Sequence, residues 1–197
     1  MRGGGGGDRA HAVGQTREDD TAVPPSTAVF EDGLFICLSW RQPGGGEVLE
    51  WLHSTGCPWS VTTACAEAGS GHLEVLRWLR ERGCQWDTGT CAHAARSGHL
   101  RVLQWAREHG CPCNWLTPAN AAFGGNVAVL QWAREQDCPW DMATCTCAAM
   151  GGHLEVLQWV RENDATGEVW NENDVRTHAF GPRKQEVLTW LDELGAP

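Results

Sequence analysis

Apolar residues along this chain return with a period of 27 residues. Trp51, Trp78, Trp105, Trp132 and Trp159 keep that interval, and Trp190 follows after 31. A valine column (Val48, Val75, Val102, Val129, Val156, then Val187) and a leucine column (Leu49, Leu76, Leu103, Leu130, Leu157, Leu188) travel with them. So does a cysteine column, Cys57, Cys84, Cys111 and Cys138. So many columns at one period mark a repeat architecture, in which each repeat is a single supersecondary unit. Within a unit, Gly98–Gly110 reads GHLRVLQWAREHG, with Leu100, Leu103 and Ala106 at helical spacing and Val102 and Trp105 widening the apolar stripe. The pattern predicts a helix covered on more than one side. The small residues Cys91–Ala95 predict a shorter, alanine-rich helix that a neighbour can approach closely. Ser97-Gly98 separates the two helices. Gly83 and Gly110 close the longer one, and Pro112 and Pro139 block its continuation. Thr63, Thr90, Thr117 and Thr144 are expected as N-caps of the shorter helix.

A single helix pair of this kind cannot bury its own apolar face, so the units must stack. The expected fold is all-α, a helix–turn–helix solenoid of about five to six units. Residues 1–28, rich in Gly and Pro, are expected to be disordered. The repeat domain then covers 29–197: a weak N-terminal cap unit over 35–60, regular units over 61–167 and a variant C-terminal cap unit over 168–197. The last carries a four-residue insertion near Asp164–Glu168.

The run Gly71-His72-Leu73-Glu74-Val75-Leu76 through Gly83-Cys84, and the spacing Ala94-Ala95-x-x-Gly98-His99, resemble the ankyrin repeat. The loop Gly83-Cys84-Gln85-Trp86-Asp87 is similar in position to that family's G-A-D-V-N segment. The resemblance covers most of residues 35–163 and repeats in register. Ankyrin units are about 33 residues long. The shortfall falls between Asp87 and Thr90, where the family carries a projecting β-hairpin finger, so short loops are expected in its place. The family's T-P-L-H signature has also decayed here, to Thr-Cys-Ala-His, Thr-Pro-Ala-Asn and Thr-Cys-Thr-Cys. The resemblance implies a protein-binding module whose concave side is formed by the shorter, inner helices.

Charge narrows the partner. The net charge is −10 with 15 Lys and Arg, and Arg183-Lys184 is the longest basic run. Without clustered positive charge, neither nucleic acid nor an anionic membrane is an expected partner. No run approaches the roughly 20 apolar residues of a membrane helix, and Met1–Gln15 has no apolar core of a secretory signal. An intracellular, cytoplasmic location with reduced thiols is therefore expected.

The ten cysteines and eight histidines raise a metal or redox alternative. Cys111-Pro-Cys113 beside His109, and Cys145-Thr-Cys147, are the places to look. Columns one repeat apart sit about 8–10 Å from each other, too far for a disulfide or for a shared zinc. The cysteines are accordingly assigned to packing, and no metal or cofactor is expected. His72, His99 and His153 recur at one repeat position, with Asn126 as the fourth member, which suits a structural hydrogen bonder better than a catalytic group with unique partners. No catalytic constellation stands out.

A partner is expected where the units differ. The pairs Gly69-Ser70, Arg96-Ser97, Phe123-Gly124 and Met150-Gly151 vary between units, and the resemblance puts them on the concave side. Arg, aromatic and Met side chains are enriched at interfaces. The candidate contacts are Arg96, Ser97, Phe123 and Met150, with Trp115 and Leu116 from the variable loops. Trp86 and Trp140 join them from a loop tryptophan column that also holds Trp59. The helix tryptophans are assigned to the core. The expected function is a monomeric, non-catalytic scaffold that binds another protein. A Cys/His metal or redox module, and a truncated repeat fragment with no retained partner, are the alternatives.

Overall fold

The computed structural model describes residues 49, 50, 53, 54, 56, 59–164 and 167–194. The expected disordered segment over 1–28 and most of the first unit over 35–60 lie outside the described residues. Among the described residues the chain forms ten complete α-helices and no strand. They are α1 (Val61–Ser70), α2 (Leu73–Glu81), α3 (Thr88–Arg96), α4 (Leu100–Glu108) and α5 (Leu116–Phe123). The series continues with α6 (Val127–Glu135), α7 (Met142–Gly151), α8 (Leu154–Asn163), α9 (Glu172–His178) and α10 (Lys184–Leu194). No helix among the described residues is long and apolar enough to cross a membrane.

Each odd-numbered helix pairs with the even-numbered helix that follows it, and the odd helices pack consecutively, α1 on α3, α3 on α5, α5 on α7 and α7 on α9. Paired alanines make that close packing possible: Ala94, Ala95, Ala121, Ala122, Ala148 and Ala149 are all 0–1% exposed. The valine and leucine columns of the even helices supply the apolar volume opposite them, with Val75, Leu76, Leu103, Leu130 and Leu157 at 0–1% exposure. The expected short and long helices turn out equal in α3 and α4, at nine residues each.

Two sequence expectations change at this level. The helix tryptophans are not a fully buried spine. Trp78, Trp105 and Trp159 are half-buried, and Trp132 alone is buried. The column falls three residues beyond the valine, at the edge of the apolar stripe rather than its centre, and indole is too large to be hidden there. The threonine column does not stand at the N-cap, although the Thr63 hydroxyl accepts the Ser60 N–H from the third helical position. Thr63, Thr90, Thr117 and Thr144 lie inside the odd helices and are buried. The N-caps of α3 and α7 are the residues three positions earlier, where Asp87 and Asp141 accept the N–H groups of Gly89 and Ala143; before α5, whose N-cap is Trp115, Asn114 Oδ1 accepts that of Leu116. A carboxylate or amide there satisfies a helix-end donor.

The turns within each helix pair explain the histidine column. Gly98 and Gly125 take φ of +77° and +76°, and a Cβ on either would lie 2.6 Å from the side chain of Asn126 or His153 of the next pair. Into that space Asn126 donates to the carbonyls of Ala95 and Arg96, 2.9 Å from each. His153 Nε2 lies 3.0 Å from the Phe123 carbonyl. Each side chain thus closes the last turn of the preceding odd helix, whose carbonyls have no partner within the helix.

Candidate functional site

The packing columns leave the solvent side of the odd helices free. Residues four and seven positions beyond the first outward residue of a helix share that side. Gly89, His93 and Arg96 present it from α3, Leu116, Asn120 and Phe123 from α5, and Ala143, Cys147 and Met150 from α7. None of these nine is buried, and Met150 is 39% exposed. Two of the middle residues are held by their own helices: His93 Nδ1 lies 2.8 Å from the Gly89 carbonyl, and Asn120 donates to the Leu116 carbonyl at 2.9 Å.

Between neighbouring helices, the Arg96 guanidinium lies over the Phe123 ring, 4.3 Å from its centroid. A cation so placed is attracted by the ring's negative face, a contribution of about 0.5–1 kcal/mol at an exposed site, and keeps its donors for a further ligand. Ser97, next to it, is exposed. At the other end of the same side, Trp115 (45% exposed) precedes α5 and Met142 (48%) begins α7, at equivalent positions of adjacent units. Arg96, Phe123 and Met150 therefore occupy one position on three consecutively packed helices, as the sequence anticipates. Leu116 shares their side, and Trp115 lies at its margin.

The loop tryptophans lie elsewhere, in a seam against the even helices. Trp86 meets Trp105 edge to face at 5.6 Å, and Trp140 meets Trp159 at 6.0 Å. The same contact joins Trp59 to Trp78 and Trp170 to Trp190. Arginines of the preceding even helices cover the loop rings, Arg80 over Trp86 and Arg134 over Trp140, each 4.4 Å from the centroid. Trp86 and Trp140 are half-buried in this seam.

Two features of the seam escaped the sequence reading. The Arg80, Arg107, Arg134 column keeps the 27-residue period, yet a charged column reads as solvated surface. Arg80 and Arg107 also donate to the carbonyls of Cys84 and Cys111 in the loops below. Trp170 was the second omission. It follows the loop tryptophan Trp140 by 30 residues where the period is 27, so the insertion hid it. Beside that insertion the Asp164 carboxylate accepts the N–H groups of Gly167, Val169 and Trp170.

The cysteines correct one expectation outright. Cys113 and Cys138 form a disulfide, with Cα atoms 5.8 Å apart. The bond forms between columns, since Cys113 stands in the loop tryptophan column and Cys138 in the cysteine column. Cys111 Sγ sits 3.2 Å from Cys91 Sγ and 3.3 Å from the Asp87 carbonyl, and Cys84 Sγ sits 3.4 Å from the Ser60 carbonyl. Burial pushes the thiols of Cys65, Cys84 and Cys147 up, and that of Cys145 up to about 12. The contact with Cys111 holds the Cys91 thiol below the ordinary range, and the Cys111 thiol is pushed up by the same contact. Among the described residues no group of three or more His, Cys, Asp or Glu side chains is arranged to hold a metal ion.

Compared with known proteins, the chain matches no family model and no curated protein.

Proposed function

We propose that this chain is an ankyrin-like repeat solenoid of about five to six units, and that it works as a monomeric, non-catalytic scaffold docking a segment of another protein on its odd-helix side. The observation that carries the reading is the row Arg96, Phe123 and Met150. It places a cation, an aromatic ring and a thioether at one repeat position on three adjacent helices, where no packing column requires them. Partly exposed apolar groups flanking an arginine are the composition of protein contact surfaces. Ser97, Leu116 and Trp115 extend the row at its edges. The net charge of −10 disfavours nucleic acid and anionic membranes as partners. A cytoplasmic setting completes the reading, and it makes the Cys113–Cys138 bond the feature that calls for explanation.

Selection from a random-peptide display library tests the proposal directly. Peptides selected on the wild-type protein are expected to bind the variant Arg96→Glu/Phe123→Ala/Met150→Ala at least about tenfold more weakly, with its helical circular dichroism unchanged. Equal binding to the variant, or no selected peptide at all, contradicts it.

A further inference from the structure

Five helix pairs are described, and four of them are closed at the base by a loop tryptophan packed against a tryptophan of the even helix. The α5–α6 pair is the exception. Its loop position holds Cys113 instead, bonded to Cys138 just beyond α6. In the two preceding pairs the equivalent cysteines, Cys84 and Cys111, are free thiols facing the backbone carbonyls of Ser60 and Asp87. The start of α5 is also irregular. Trp115 at its N-cap has helical dihedrals, φ −56° and ψ −23°, where Asp87 and Asp141 are extended. One covalent bond thus does for α5–α6 what an aromatic pair does for its neighbours.

We propose that Cys113–Cys138 is a reversible thiol–disulfide site, exchanging with a low-molecular-weight thiol of the glutathione class, that governs how firmly α5 is held. The incoming thiolate attacks Cys113 Sγ, the half-buried sulfur, since Cys138 is only 7% exposed. The S–S bond breaks, Cys138 leaves as thiolate and takes a proton from water, and a mixed disulfide remains on Cys113. A second thiolate attacks the small-molecule sulfur, releasing the oxidised small thiol and the Cys113 thiolate, which is then protonated. The protein gains two electrons and two protons, and two small thiols become one disulfide. Cys91 and Cys111 also lie in contact, but they are 1% and 0% exposed and out of a reagent's reach, so this pair serves as an internal reference. The bond links residues 25 apart in sequence and closes a loop that contains all of α5 and α6. Its loss frees chain entropy that no tryptophan pair at this position offsets. Since α5 carries Leu116 and Phe123, the redox state would also set the presentation of the odd-helix side. That last step rests on the docking proposal above, and the exchange site itself does not.

The test equilibrates the purified protein in glutathione buffers of graded ratio and traps thiols by alkylation. Linkage is mapped by mass spectrometry, and amide hydrogen exchange is followed in the same samples. The 113–138 linkage is expected to titrate as one two-electron step, with Cys91 and Cys111 unlinked throughout. Exchange over 115–123 is expected to rise about tenfold or more on reduction, while 88–96 stays constant. The C113S/C138S variant should match the reduced protein in any buffer, and C113W, which restores the aromatic pair, should stay near the oxidised level. A linkage that never forms or never opens across the series overturns the proposal. So does opening without faster exchange over 115–123, or a C113W variant as open as C113S/C138S. An intact redox response in a protein that selects no peptide would remove the docking reading alone.

Discussion

The two long surfaces of this molecule are built from opposite materials. Along the seam of the even helices the same residue types recur, tryptophan against tryptophan with arginine over the loop ring, with Cys113 as the exception. Across the odd helices, equivalent positions hold glycine, arginine, phenylalanine and methionine in turn. A position that must fit its copy in the next unit tolerates little change, because each junction is packed by the same shapes. A position facing water carries no such demand. The difference separates a seam that holds the units together from a side on which chemistry can differ from unit to unit.

Substitutions that strike one surface at a time sharpen that contrast. The largest effect is expected beneath both. Leu103, fully buried in α4, should cost about 2–5 kcal/mol on replacement by alanine in urea unfolding, since a cavity between packed helices cannot collapse. Next comes the seam. Trp86→Ala removes the edge contact to Trp105 and the seat of Arg80, an expected loss of about 1–3 kcal/mol with peptide binding retained. Phe123→Ala and Met150→Ala should do the reverse, costing less than about 1 kcal/mol of stability while weakening binding. A stable Trp86→Ala protein that no longer binds would join the seam to the partner side and dissolve the distinction.

Two smaller effects run toward stability. Asp137 takes φ of +53° at the column position where Gly83 and Gly110 are left-handed. Asp137→Gly should therefore gain about 1 kcal/mol in the same assay. The Thr117 and Thr144 hydroxyls are buried without a hydrogen-bond partner, whereas Thr90 Oγ1 has the Cys65 sulfur at 3.6 Å. The residues equivalent to Cys65 in the next two units are Ala92 and Ala119, which offer nothing. Thr117→Val should be neutral or stabilising by up to about 1 kcal/mol, because it removes a desolvated hydroxyl and keeps the shape.

How much of this was legible beforehand follows from what a period can encode. The columns Val75/Val102/Val129 and Leu76/Leu103/Leu130 identify the buried stripe directly, and all six are buried in the structure. The row Arg96, Phe123, Met150 was legible as variation within that frame. What the period could not give was contact between columns. Cys113–Cys138 and Trp86–Trp105 each join two different columns, at separations of 25 and 19 residues, and depend on how the loop folds back over the even helix. The caps were misplaced for a related reason. Thr90 and Asp87 both suit an N-cap by residue type, and only the backbone decides that the helix begins at Thr88.

Site-specific photo-crosslinking in native lysate addresses the central claim, that the odd-helix side is where a partner sits. A photoreactive phenylalanine analogue would replace Phe123 or Met150 on that side, and Gln131 or Gln158, both exposed on even helices, as references. The account predicts the same adduct from positions 123 and 150 and none from 131 and 158. Adducts confined to 131 and 158, or absent from all four positions, would contradict it.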